Sequence, residues 1–409
     1  MSYTGIYFEK ENIYLVSILS SIVTKLFLIL ILIFAAILRF YSLGDIPVGL
    51  HRDEAFLGYN AYSILKTGKD ISGNFLPLHL ESFLYSPAGY SYFSLPFIKI
   101  FDLSAFSVRF SSALFGTLTV LASYFLAQKL FRRKEIGLFA AFLLALSPWH
   151  INLSRTATEN VLVVFFISAG VLFFLHWQEK RKWRLLLFSF LSFGATLFLY
   201  QASRAFLPIF IPFMVFLLLK EKLTRKKLFF IGTLFLLVVV VPIFLVLLSK
   251  ELSLRLRTVS IFATQGSQLI IDEQIREDGV SNVPMSLIRI FHNKPFMYAS
   301  QVVENYFKHF SFDFLFTDKG FPDRYRIPHV GILYLFELPL LLIGVWKLLQ
   351  KPTKTGLFLA GWILLAPLGT ALTFDDVPNL QRTLIIFPAL SIVEGIGLFS
   401  LLSLLKVKH

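Results

Sequence analysis

Residues 85–101, YSPAGYSYFSLPFIKIF, are the stretch on which the topology turns. The run is apolar enough to enter a bilayer, yet Pro87, Gly89 and Pro96 interrupt it. If it crossed, the next apolar run, residues 105–130, would deliver Lys129, Arg132, Arg133 and Lys134 to the outside, and every later basic cluster would be inverted with it. Cytoplasmic segments collect lysine and arginine, so that reading fails. Laid along the interface as a bent helical segment, the stretch puts its tyrosines at headgroup level and every downstream cluster inside.

Composition supports a membrane chain on both sides of this stretch. Hydrophobic residues make up 56% and charged residues 16%, with 47 Phe, and mean hydropathy is +0.71; soluble domains carry about 25% charged residues. The formal charge of +14 is spread in short clusters between apolar runs, which suits anionic lipid and not nucleic acid. There is no cysteine, so neither disulfides nor thiolate metal sites are available. The first apolar run, residues 26–43, lacks a small-residue cleavage site and reads as a retained span. Lys10 and Lys25 before it place the N-terminus inside. Further runs at 105–130, 137–146, 161–177, 185–200, 206–219, 228–248, 331–346, 357–372 and 384–405 return each basic cluster to the same side. The expected fold class is an all-α polytopic membrane protein of about ten spans, both termini inside. It divides into an N-terminal membrane module, residues 1–248, carrying a first outer catalytic loop at 44–104; an outer loop at 249–330; and C-terminal membrane helices at 331–409. The expected location is the plasma or inner membrane, with the site on the extracytoplasmic side.

Polar residues then gather outside. Residues 49–68 begin with Arg52, Asp53 and Glu54, and adjacent carboxylates beside a cation directly after an apolar helix are costly unless they face water or a site. Glu81 follows, then His150, Arg155 and Glu159, then Tyr200, Gln201 and Arg204, and finally Asp375, Asp376, Asn379, Gln381 and Arg382. Arginine in short outer loops departs from the charge rule and asks for an anion such as a phosphate held by guanidinium forks. Plainer readings stand beside this one. Arg155 and Glu159 have the four-residue spacing of a helix-surface ion pair, Arg204 and Arg382 suit interfacial anchors, and His150 suits a loop position, with no second histidine at metal-ligand spacing. Asp375 and Asp376 suit a hard cation or a turn before Pro378. The 249–330 loop includes Arg255, Arg257, Tyr306, His309, Arg324 and Tyr325 and ends in RYRIPHVG. It is too long for a connector and reads as a lid, helical around residues 305–314, or as a passive cap.

One carboxylate with several outer arginines suits transfer of a sugar from a phosphate-linked lipid carrier, because phosphate leaves without a general acid while the acceptor needs a base. The stretches LRFYSLGDIPVGLHRDEAFLGYNAYSILKTG (38–68), SPAGYSYFSLPFIKIFDLSAFSVRFSSALFGTLTVL (86–121) and SPWHINLSRTATEN (147–160) resemble the phospholipid-carrier-dependent glycosyltransferases of the GT-C superfamily. That superfamily includes protein O-mannosyltransferases and lipid A aminoarabinose transferases. The resemblance covers residues 30–210, with DVPNLQR (376–382) as a weaker echo. It implies a GT-C-like fold with interfacial helices in the first outer loop, an inverting transfer from a polyprenyl-phosphate sugar to an acceptor hydroxyl on a lipid, glycan or protein, Asp53 as base and Glu54 as its neighbour. Arg52, Glu81, His150, Arg155, Glu159, Tyr200, Arg204 and Arg382 are then donor-binding candidates. Glu81 lies near a second acidic position of the aminoarabinose enzymes, but the Lys-Pro that follows there is Ser82-Phe83 here. No cofactor is required by the sequence, and members of the superfamily differ in metal use. A lipid-linked sugar transporter or flippase would also want arginines for phosphate, but would show matched broken helices in two halves.

Overall fold

A computed structural model describes residues 3–81, 85–219, 224–249, 253–254, 258–263, 267–279, 284–317, 327–374 and 376–406, with side chains from residue 22 onward except at 263, 267, 268 and 406. The first elements are α1 (Tyr3–Phe40), α2 (Arg52–Thr67), a two-stranded antiparallel hairpin of β1 (His79–Leu80) and β2 (Ser86–Pro87), α3 (Gly89–Phe101) and α4 (Ala105–Phe131). Next come α5 (Lys134–Leu146), α6 (Pro148–Ser154), α7 (Glu159–Lys180), α8 (Trp183–Leu199) and α9 (Ser203–Leu218). A π turn at Leu236–Val240 joins α10 (Arg225–Phe235) to α11 (Val241–Leu248). The large loop holds α12 (Ser267–Gly279), α13 (Met285–Phe291), α14 (Lys294–Lys308) and α15 (Phe312–Phe316). The chain closes with α16 (Glu337–Gln350), α17 (Lys354–Leu365), α18 (Leu368–Ala371), α19 (Leu380–Thr383) and α20 (Phe387–Lys406).

Among the described residues, 6 helices are long and apolar enough to cross a membrane: Ile22–Phe40, α4, α7, Arg225–Leu248, Lys354–Ala371 and Leu380–Leu405. The pair α5 and α6, bent by 62°, brings the number to 7. The remaining apolar runs form α8, α9 and α16, of 17, 16 and 14 residues, shorter than the roughly 20 residues a span needs. The count of about ten is therefore not reached on length and composition.

Local chemistry sets the boundaries. Ser104 and Ser107 form a reciprocal cap at the start of α4, and Gly68, at φ 72°, closes α2 in the left-handed conformation that glycine adopts at least cost. The apolar helices pack α4 against α5 and α7, α7 against α8, and α20 against α5 and α16, so the two ends of the chain share one core running from Ala35 to Ile396. In lipid this association rests on close packing and satisfied polar groups. Gly116 of α4 shows the closeness: a Cβ there would collide with Ser154 and meet the Arg39 guanidinium.

Residues 85–101 become β2 and α3, and α3 has 13 residues and packs against α2 and α4. Pro96 lies inside it, and Ser111 Oγ donates to the Phe93 carbonyl in the turn before that proline at 3.0 Å. One detail differs from the expectation of headgroup-level tyrosines. Tyr90 is wholly buried, because its hydroxyl donates to the Val108 carbonyl at 2.8 Å and pairs with Ser112 Oγ at 3.0 Å.

Candidate active site

The first turn of α2 sends its two carboxylates in opposite directions. His51 is the N-cap: its Nδ1 accepts the Asp53 backbone N–H at 3.3 Å and its own N–H donates to Glu54 Oε2 at 2.9 Å, a capping box that fixes the start of the helix. Successive residues on a helix point about 100° apart, so seating Glu54 inward leaves Asp53 outward. The Asp53 side chain is 63% exposed and, among the described residues, lies 3.7 Å from Arg52 Nε and 3.7 Å from His51 Nδ1.

Glu54 is buried against Arg109 of α4. Arg109 Nε donates to Oε1 at 2.9 Å and its terminal nitrogen to Oε2 at 3.0 Å, and the Ala157 N–H donates to Oε1 at 2.8 Å. Burial pushes this carboxyl up, but the hydrogen bonds from Arg109, Ala157 and His51 and the Arg109 charge outweigh it and hold Glu54 below the ordinary glutamate range. The same guanidinium donates to the carbonyls of Leu43 at 3.2 Å, Pro47 at 2.9 Å and Gly49. Arg109 is fully buried, and it ties α2, the turn after α1 and the segment before α7 to one point. Glu54, expected beside Asp53 at the reacting centre, thus has both oxygens occupied inside the protein.

Arg155 completes the anchor. Its guanidinium donates to the carbonyls of Leu38 at 2.9 Å, Tyr41 at 2.6 Å and Ile46 at 3.0 Å. Burial, with the Arg109 charge behind it, lowers its pKa. The chain leaving α1 ends its helical hydrogen bonding there, and Arg155 takes up the freed carbonyls, a role that neither the phosphate reading nor the ion-pair reading anticipated. Glu159 stands in the first turn of α7, close enough to Tyr90 that its charge, with that of Glu54, adds to burial in raising the phenol pKa. His150 is wholly buried, its Nδ1 2.8 Å from the Arg39 guanidinium. Arg39 also donates to the Leu144 and Ala145 carbonyls at the end of α5, where the bend into α6 exposes them. His150 therefore belongs to a packed corner of the bundle, away from water.

Two further clusters hold the remaining candidates. Arg204 donates to His79 Nε2 at 3.0 Å, and burial followed by the Arg204 charge depresses His79 to about 4. Beside it Gln201 Nε2 donates to the Tyr85 carbonyl at 3.0 Å, and Tyr200 is half-buried. Glu81 is exposed in the connection between β1 and β2, and Ser82 and Phe83 lie outside the described residues. In the second cluster, Arg382 donates to Thr373 Oγ1 at 2.6 Å, while the Asn379 N–H donates to His309 Nε2 at 3.2 Å and His309 Nδ1–H donates to the Asn305 carbonyl at 2.8 Å. Burial above all, with the Arg382 charge opposing protonation, holds His309 down to about 4. Arg155, Arg204 and Arg382 each have a different set of these partners. Arg255, Arg257, Arg324, Tyr325 and Asp375 lie outside the described residues, and among those described no three His, Cys, Asp or Glu side chains gather as a metal would need.

Among the residues that sequence reasoning missed are the buried Arg109 and Arg39 and the half-buried His79. For Arg109 and Arg39 a signal existed, since an arginine within an apolar run is expensive and marks a site or a socket; for His79, in an irregular loop, none did.

The fold around this ledge is shared with solved structures of an archaeal oligosaccharyltransferase and of ArnT. A family model described as dolichyl-phosphate-mannose-protein mannosyltransferase matches residues 86–245. The archaeal oligosaccharyltransferase AglB from Archaeoglobus fulgidus, in complex with an inhibitory peptide and a dolichol-phosphate, superposes with a TM-score of 0.53 at 15% identity over 92% of this chain and 50% of its own. ArnT from Cupriavidus metallidurans bound to undecaprenyl phosphate gives 0.53 at 15% identity over 92% and 60%. An uncharacterized protein of Aquifex aeolicus is 27% identical over 208 residues, 50% of this chain and 40% of that one. The chain thus spans half or less of the length of that curated relative and half to three fifths of these structures.

Proposed function

We propose that the protein is a membrane glycosyltransferase that moves a sugar from a polyprenyl-phosphate carrier to an acceptor hydroxyl, with inversion, on the extracytoplasmic side. The observation that carries the reading is the exposure of Asp53, a 63% exposed carboxylate on a helix start that Glu54 and Arg109 hold from behind. In the reaction the bond from the anomeric carbon to the carrier phosphate breaks and a bond to the acceptor oxygen forms on the opposite face. Asp53 takes the acceptor proton, and the carrier phosphate leaves with the electron pair, stabilised by nearby cations. Arg204, which donates to His79, and Arg382, which donates to Thr373, are the cations this reading assigns to that charge. The family match and the two lipid-phosphate-bound structures of the same fold support a carrier of this class. The test is the purified protein in nanodiscs, offered a panel of polyprenyl-phosphate sugars with peptide, glycan and glycolipid acceptors. One donor should turn over to a product of opposite anomeric configuration, and a retained configuration would overturn the single-displacement chemistry.

A further inference from the structure

Away from the ledge, the helices of the large loop expose more apolar surface than a water-borne segment carries. On α13 Leu287, Ile290 and Phe291 are exposed, and on α14 Phe296, Val303 and Phe307 are exposed, the last at 63%. Positions 296, 303 and 307 fall on one side of α14, while Tyr298, Val302 and Asn305 fall on the opposite side toward the protein. Phe291 and Phe296 pack edge to face across the turn between the two helices, joining the stripe.

The depth of this stripe is fixed by two hydrogen bonds. Asn305 Nδ2 donates to the Thr373 carbonyl at 2.9 Å, at the site-side end of the span Lys354–Ala371. One residue on, Tyr306 O–H donates to the Leu364 carbonyl at 2.8 Å. Leu364 lies 371 − 364 = 7 residues before the end of that span, about 10 Å inward at 1.5 Å per residue, and its own side chain is 50% exposed on the outer wall of the bundle. So α14 lies alongside a helix long and apolar enough to span, within about 10 Å of its end. Cations stand beside the stripe. Arg289 and Lys294 flank it, Glu304 on α14 is paired with Lys308 at 2.8 Å, the acidic residues Asp272, Glu273, Glu277 and Asp278 are on α12 with Arg276, and Lys294 borders a groove lined by Phe262, Pro295, Tyr298, Ala299 and Val302.

We propose that α13 and α14 are seated in the leaflet on the site side, with the apolar stripe in the acyl region and Arg289 and Lys294 on anionic headgroups. The large loop is then anchored at its base in lipid instead of standing free in water. This holds whether or not Asp53 is the base.

The chain contains no cysteine, so single labels report cleanly. Val303→Cys, Phe307→Cys and, on α12, Glu273→Cys would each carry an environment-sensitive fluorophore on the full chain in nanodiscs containing phosphatidylglycerol. At 303 and 307 the emission should shift to the blue, and a shallow nitroxide lipid should quench it several-fold more than aqueous iodide does; at 273 the order should reverse. Equal iodide quenching at all three positions would overturn the proposal, and so would protection of 303 and 307 from both quenchers, which would mean a protein partner covers the stripe. Replacing phosphatidylglycerol by phosphatidylcholine should weaken the nitroxide quenching, and no response to lipid charge would overturn the role given to Arg289 and Lys294.

Discussion

The two faces of the first turn of α2 treat neighbouring carboxylates in opposite ways. Glu54 receives N–H donors on both oxygens inside the bundle, while the Asp53 side chain is mostly exposed and, among the described residues, lies 3.7 Å from Arg52 Nε and from the His51 ring. A buried carboxylate with its lone pairs filled is held ionised and cannot easily accept another proton; an open one can. In the proposed reaction, rigidity falls to Glu54 and reactivity to Asp53, and either face can be altered while the other is watched.

The largest effect should come from the open face. Asp53→Asn removes the proton acceptor and keeps the size, so turnover should fall by roughly 100- to 10,000-fold with donor affinity and melting temperature unchanged. Near-native turnover would move the search to Glu81 or Glu159. On the closed face, Arg109→Leu leaves Glu54 buried without its cation, and removing one partner of a buried pair costs about 3–5 kcal/mol. Thermal unfolding in detergent should show this as a lowered melting temperature, and the loss should be absent from Asp53→Asn. A variant that lost activity but kept full stability would contradict the division of labour.

Arg155→Ala should cost less, about 1–3 kcal/mol, because the carbonyls of Leu38, Tyr41 and Ile46 lose a half-buried donor. Donor affinity, measured by calorimetry with polyprenyl phosphate, should hold, whereas Arg204→Ala should weaken it more than Arg204→Lys. A further effect is acid sensitivity. His79 and His309 are each depressed to about 4 against an unfolded value of about 6.5. The unfolded chain therefore binds more protons in that window, and stability present above it falls as pH drops from about 6.5 toward 4. His309→Gln should flatten part of that slope in a pH series of melting curves. Glu54, whose pKa is lowered, adds a loss only at still lower pH, as its carboxylate is protonated.

Much of this comparison was legible in the residues, and the illegible part has a common cause. Apolar runs and basic clusters predict the helices and keep residues 85–101 out of the set of spans, because both signals are local and periodic. Asp53 and Glu54 stand out because charge directly after an apolar helix is costly. Their opposite fates do not, since Glu54 meets Arg109 across 55 positions of sequence, and in FSVRFSSALFG that arginine reads as an interruption of a span. His150 and Arg155 were visible as polar residues after Pro148, but which carbonyls a bend frees depends on the 62° angle between α5 and α6, which no spacing encodes. The lid reading of the large loop followed from its length; the apolar stripe on α14 becomes telling only once Tyr306 is seen to reach Leu364.

The reach of Arg109 also bears on the order in which the protein is made. All the partners described for its guanidinium lie between Leu43 and Glu54, and the Ala157 N–H completes the carboxylate's set. Domains tend to form from the N-terminus during synthesis. Once the ribosome has delivered residue 157 to the membrane, the ledge bearing Asp53 has every part it needs to close. The His309, Asn379 and Arg382 cluster waits for nearly the whole chain, so a translation product halted midway would already hold the carboxylate in place while lacking that cluster.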